Sequence, residues 1–128
     1  ILNNSTAALV TSGTATLETA LFNVPQVVCY MPGFATYHIL KRVVSIKYIC
    51  MVNLILDRMA VTELIQNELN EKRLTVELKN VLDPKISSKM KSDYKLLASK
   101  LGGGGASERT AELIVKDLTK AVEAKKIT

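Results

Sequence analysis

The sequence predicts an α/β protein built on a parallel sheet, and three observations predict it. Two strand-length apolar runs, residues 7–11 and 26–30, flank a stretch of helix formers. Turn signals at Ser12-Gly13-Thr14 and Asn23-Val24-Pro25 separate the three pieces. Beyond residue 56 the apolar residues recur at helical rather than strand spacing. Two strands joined through a helix make a βαβ unit, whose crossover is right-handed in nearly every known case.

Each element follows from its residues. Ala7-Ala8-Leu9-Val10-Thr11 is continuously apolar until its last residue, as a strand buried on both faces requires. Residues 15–22 are helix formers, and Pro25 restricts the residue before it and so ends that helix. Gln26-Val27-Val28-Cys29-Tyr30 is a second, β-branched run. Met31-Pro32-Gly33 turns the chain, and Phe34, Tyr37, Leu40, Lys41 and Val44 then fall at helical spacing. Residues 47–51 return to an extended pattern, with Asn53-Leu54-Ile55-Leu56 directly after.

The second half reads as consecutive helices. Val61, Leu64 and Ile65 suit a short one. Leu74, Leu78, Val81 and Leu82 mark the next, which stops before Pro84. Met90, Tyr94, Leu97 and Leu101 mark another; four glycines, 102–105, interrupt it, and Ala111, Ile114, Val115, Leu118 and Val122 mark the last. The organisation expected is a βαβ region over 1–56 and a helical region of the same domain over 57–128. The chain opens at Ile1 and the sheet has few strands, so a piece of a longer protein is expected.

Composition narrows the partners. The net charge is +5, but Lys and Arg are spread along the chain and there are only six Phe and Tyr and no Trp. Nucleic-acid binders cluster their cations and supply stacking rings, so nucleic acid is not an expected partner. Anionic lipid headgroups are a better use of the charge. Cys29 and Cys50 lie inside apolar runs and do not form a secreted disulfide framework. No metal-ligand spacing, signal peptide or membrane-length apolar run is present, and the chain reads as a soluble cytosolic domain.

Chemistry concentrates where the first strand hands over to a helix. In open α/β sheets ligands bind at the carboxyl ends of strands. There Gly13 lets a ligand approach the backbone without a Cβ in the way. The helix start favours a diphosphate, and Ser12, Thr14 and Thr16 add hydroxyl donors. Glu18 would repel phosphate, but a carboxylate can accept both hydroxyls of a ribose diol; equally, it can simply complement the helix dipole.

Ser12-Gly13-Thr14-Ala15-Thr16-Leu17-Glu18, followed by Pro25, Val27-Val28 and Tyr30, resembles the lipid-A-disaccharide synthases, glycosyltransferases of the GT-B fold. The resemblance continues through Thr36, Lys41-Arg42, Lys47-Tyr48-Ile49, Asn53-Leu54 and Glu63-Leu64-Ile65-Gln66, and ends at Leu101-Gly102 and Gly105-Ala106-Ser107. It implies a partial Rossmann-like C-terminal domain followed by a helical C-terminal region. It implies transfer of the sugar of UDP-2,3-diacylglucosamine onto 2,3-diacylglucosamine 1-phosphate, without metal or other cofactor. Ser12, Gly13, Thr14 and Glu18 would line the UDP pocket, with Asn53 and Gln66 functional nearby. Catalytic acid/base groups would belong to a missing N-terminal half, leaving this piece inactive by itself. A homodimer with exchanged C-terminal helices, on the cytoplasmic face of the inner membrane, is also implied.

The sequence departs from the family's pattern at several places. Met31 stands where many members carry a basic residue, which removes a charge for direct phosphate contact. Val52 stands for a proline, Ala35 for an aromatic residue and Cys29 for a small one. His38, the only histidine, reads as a structural residue, and Lys41 and Arg42 as a solvated helix face. The four glycines lack the Lys-Ser/Thr of a P-loop and read as a hinge. Two other functions fit the same residues: a GT-B-like UDP-sugar epimerase, or an interaction domain that has kept only the fold.

Overall fold

The computed structural model describes residues 1–31, 33, 47–102 and 104–126. The expected helix over 34–44, with His38, Lys41 and Arg42, lies outside the described residues, as do Ala35 and Thr36. Three parallel strands form the sheet in the order β1 (Ala8–Thr11), β2 (Gln26–Tyr30) and β3 (Thr62–Ile65). Five α-helices are described: α1 (Ala15–Leu21), α2 (Met51–Leu56), α3 (Glu71–Leu82), α4 (Pro84–Leu101) and α5 (Ala106–Lys126).

The central strand is the most apolar, for a physical reason. β2 pairs with β1 from Ala8 against Gln26 to Thr11 against Cys29, and with β3 from Val27 against Thr62 to Tyr30 against Ile65. With a neighbour on each edge and helices packed against it, Val27 and Val28 are both buried, and only an uninterrupted apolar run suits that position. Leu64, Val61, Val52, Leu56, Met90, Tyr94 and Leu97 complete the core around them.

Two elements differ from the expectation. Val61, Leu64 and Ile65 belong to a strand and its approach, not to a helix; their three- and four-residue spacing coincides with that of a helix face. The sheet therefore takes its third strand from the region expected to be all helical. Met51 starts a helix where residues 47–51 were expected to be extended; no local side chain caps it, and the Ile49 and Cys50 amides just before it are held by Glu63 from β3.

The long helices start as their sequences direct. Asn70 caps α3 by accepting from the Arg73 amide at 3.0 Å. Asp83 caps α4 through the Lys85 and Ile86 amides at 2.8 and 3.2 Å, with Pro84 in the first turn where no amide is missed. Gln26, fully buried, ties α1 to α4: its side-chain amide donates to the Thr16 carbonyl at 2.9 Å and to the Tyr94 hydroxyl at 3.3 Å. Burial pushes the Tyr94 phenol far above its ordinary range, so it stays neutral there. An ion pair from Arg58 to Asp93 fastens the loop after α2 onto α4. On α5, by contrast, Leu113, Ile114, Val115 and Leu118 are all exposed.

Candidate functional site

Parallel strands end on the same side, so three chain segments meet at the carboxyl edge of the sheet. Ser12 leaves β1, Met31 leaves β2 and Gln66 leaves β3. Strands lie about 4.8 Å apart, which sets Ser12 and Gln66 roughly 10 Å from one another across the edge. The structure thus brings the Ser12–Thr14 turn and Gln66 to one rim. Gln66 opens a short 3-10 turn in the left-handed region (φ 51°) and is half-buried.

The turn after β1 is open to solvent. Gly13 has φ +150°, a conformation that residues with a Cβ rarely adopt, and the space its Cβ would occupy is empty. Thr14 and Gly13 are exposed and Ser12 half-buried. Glu18 stands exposed in the first turn of α1. Thr16 behaves differently: it is buried, and its hydroxyl donates back to the Gly13 carbonyl at 2.7 Å. Its bond closes the turn from inside.

Asn53 is fully buried on α2 and uses its whole hydrogen-bonding capacity within the chain. Its carbonyl oxygen accepts from the Ala60 and Val61 amides at 2.8 and 3.0 Å. Its amide nitrogen donates to the Val61 carbonyl and to Glu63 Oε1, both at 2.8 Å. The sequence offered Asn53 as a turn or a ligand contact; the structure places it as the pin between α2 and β3.

Glu63 is the residue that sequence reasoning did not single out. From β3 its carboxylate accepts the Ile49 amide at 2.9 Å, the Cys50 amide at 3.0 Å and the Asn53 side chain. Ile49 in turn accepts the Ser12 hydroxyl at 3.4 Å. The available signal was a single acidic residue inside an apolar run, Leu64 and Ile65 following it. A half-buried carboxylate on a strand needs donors, and the nearest unsatisfied ones are helix-start amides.

Other groups offer less chemistry. Burial pushes the Cys29 and Cys50 thiols up, away from the thiolate that would attack or bind metal. Among the described residues no group of three His, Cys, Asp or Glu side chains is placed to hold a metal ion. None of the described helices is long and apolar enough to cross a membrane. A shallow hollow at Asn70, Glu71, Lys72, Thr75 and Val76 contains none of the residues predicted for the site.

The sequence has clear relatives. The family model described as lipid-A-disaccharide synthetase matches residues 1–117. A lipid-A-disaccharide synthase of Geobacter sulfurreducens is 36% identical over 117 residues, covering 91% of this chain and 30% of the relative. One from Rhodospirillum centenum is 35% identical over 123 residues, covering 94% and 31%. One from Pseudomonas paraeruginosa is 46% identical over 77 residues, covering 60% and 20%. The chain thus spans less than a third of the length of these relatives.

Proposed function

This chain belongs to the lipid-A-disaccharide synthetase family, and from that premise we propose that it is the donor-gripping part of a GT-B glycosyltransferase. The donor is UDP-2,3-diacylglucosamine, and the whole enzyme moves its sugar onto 2,3-diacylglucosamine 1-phosphate with UDP as leaving group. One observation carries the reading: the Ser12-Gly13-Thr14 turn lies open at the carboxyl edge of a parallel sheet, with the Glu18 carboxylate exposed just beyond it.

The turn suits a diphosphate. Gly13 leaves its backbone uncovered; the Thr16, Leu17 and Glu18 amides bond back to the Gly13 and Thr14 carbonyls, so the amides that meet a phosphate are those of Gly13, Thr14 and Ala15. The Thr14 hydroxyl adds a donor, while the Ser12 hydroxyl is given to the Ile49 carbonyl and fixes the start of the turn. Glu18 takes the ribose, whose two hydroxyls donate to one carboxylate. Gln66 borders the donor farther along the rim, and Asn53 and Thr16 hold the rim in shape from behind. As the sugar leaves, negative charge grows on the diphosphate, and preorganised donors at the turn stabilise it there.

The acceptor site and its base lie, in this reading, in parts of the whole enzyme beyond these 128 residues, so the chain alone binds UDP without turnover. The exposed stripe of Leu113, Ile114, Val115 and Leu118 is covered by a second copy, with C-terminal helices exchanged. The surplus of Lys and Arg faces the anionic inner surface of the membrane, where the lipid substrates are drawn from.

Calorimetric titration of the chain with UDP tests the site. Wild type binds; Glu18→Ala binds at least about tenfold more weakly, the loss of one good pair of charge-assisted bonds, with an unchanged circular dichroism spectrum. A folded wild type that takes up no UDP rejects the donor reading.

A further inference from the structure

We propose that Glu63 is a positioning residue for the donor turn: from β3 it fixes the Ile49–Cys50 peptide, whose carbonyl holds Ser12. The inference rests on the donor-binding reading above and extends it to a residue that touches no ligand. The geometry is that of one rigid plate. The Ile49 carbonyl and the Cys50 amide belong to the same peptide plane, and in a trans peptide they point in opposite directions. The Cys50 amide donates to Glu63 Oε1 at 3.0 Å, so the carbonyl on the other side of the plate is aimed away from β3, and it accepts the Ser12 hydroxyl at 3.4 Å.

Two further bonds stop the plate from turning. The Ile49 amide donates to Glu63 Oε2 at 2.9 Å, so both oxygens of one carboxylate grip consecutive amides. Asn53 donates to Oε1 at 2.8 Å and keeps the carboxylate itself from rotating. All three groups facing Glu63 are donors, which an ionised carboxylate satisfies and an amide cannot. Glu63→Gln keeps the shape of the side chain but turns an NH2 toward a backbone N–H. The amide oxygen stays with Cys50 and Asn53, which give two donors, so the grip on the Ile49 amide is lost and the peptide whose carbonyl holds Ser12 is anchored from one side only.

The test is UDP titration of wild type, Ser12→Ala, Glu63→Gln and the double variant, with amide hydrogen exchange followed by NMR. Glu63→Gln should weaken UDP binding about tenfold, the size expected for one hydrogen bond to a charged group. It should speed exchange at Ser12, Gly13 and Thr14 while Val27 and Val28 keep their wild-type rates. Because both residues act through one contact, the double variant should bind no more weakly than the weaker single variant. Unchanged affinity in Glu63→Gln, or losses that multiply in the double variant, overturns the inference and leaves the donor reading standing. If wild type binds no UDP, the donor reading falls; exchange at the turn then decides whether Glu63 controls it, unchanged rates counting against. Should Glu63→Gln not fold, wild type suffices: bound UDP must slow exchange at Ile49 and Cys50, and indifferent rates refute the proposal.

Discussion

At residues 12–14 the backbone leaves β1 with little laid over it, whereas Asn53, on α2, has all four of its side-chain bonds turned into the protein. Both belong to one set of polar residues that the family resemblance marks. Their difference separates two ways in which a polar residue would serve the proposed donor site. The open turn offers its exposed backbone and the Thr14 hydroxyl, since Ser12 and Thr16 give theirs to the Ile49 and Gly13 carbonyls. The buried knot offers no unspent donor, and its effect on a ligand is the shape it imposes on the backbone between them. Glu63 belongs to the knot but reaches the turn through Ile49.

Breaking the knot should have the larger effect on the fold. Asn53→Ala removes the side-chain partner of the Val61 amide and carbonyl, and one of two partners each of the Ala60 amide and Glu63 Oε1, which keep Arg58 and Cys50. It should destabilise the chain by about 3 kcal/mol in urea unfolding. A loss under about 1 kcal/mol would mean that water replaces Asn53 and that the knot is not built as described.

The open turn should respond less in stability and more in binding. Gly13→Ala places a Cβ where space is empty but the backbone angle is unfavourable. It should cost about 2 kcal/mol of stability from strain alone, and weaken UDP binding beyond what Asn53→Ala does in the folded fraction. The smallest effect belongs to Thr16→Val, which removes the bond to the Gly13 carbonyl while keeping the shape. It should cost about 1 kcal/mol; Thr16→Ser should restore it. If Ser and Val behave alike in thermal unfolding, the bond does not hold the turn.

The same contrast explains what was legible in the sequence. β1, α1 and β2 were readable because each is specified locally: an apolar run, a glycine turn, a proline stop. α3 and α4 carry their own caps, Asn70 and Asp83, and their apolar stripes repeat over several turns. α2 was misread because its start is satisfied from β3, and no local window contains both Cys50 and Glu63. β3 was misread because four residues are too few to separate a period of two from one of 3.6. The open half of the site follows from chemistry visible in sequence, since a glycine between hydroxyls at a strand end has few structural excuses. Asn53 could be marked by resemblance, but its buried role depends on partners at Ala60, Val61 and Glu63 that only the fold brings near.

Assembly of the sheet must close two loops of unequal length. β1 meets β2 across the short α1 crossover, Leu9 against Val27, while β2 meets β3 only after a much longer stretch, Val28 against Glu63. Longer loops lose more entropy on closing, and pairings distant in sequence form slowly. The turn at Gly13 therefore exists in outline as soon as the first βαβ unit docks, but the carboxylate that orients it arrives with the last strand. During synthesis the rim at the carboxyl edge is drafted early and set late, so a nascent chain that already contains Ser12, Gly13 and Thr14 gains its final rim geometry only when residue 63 has been made and paired.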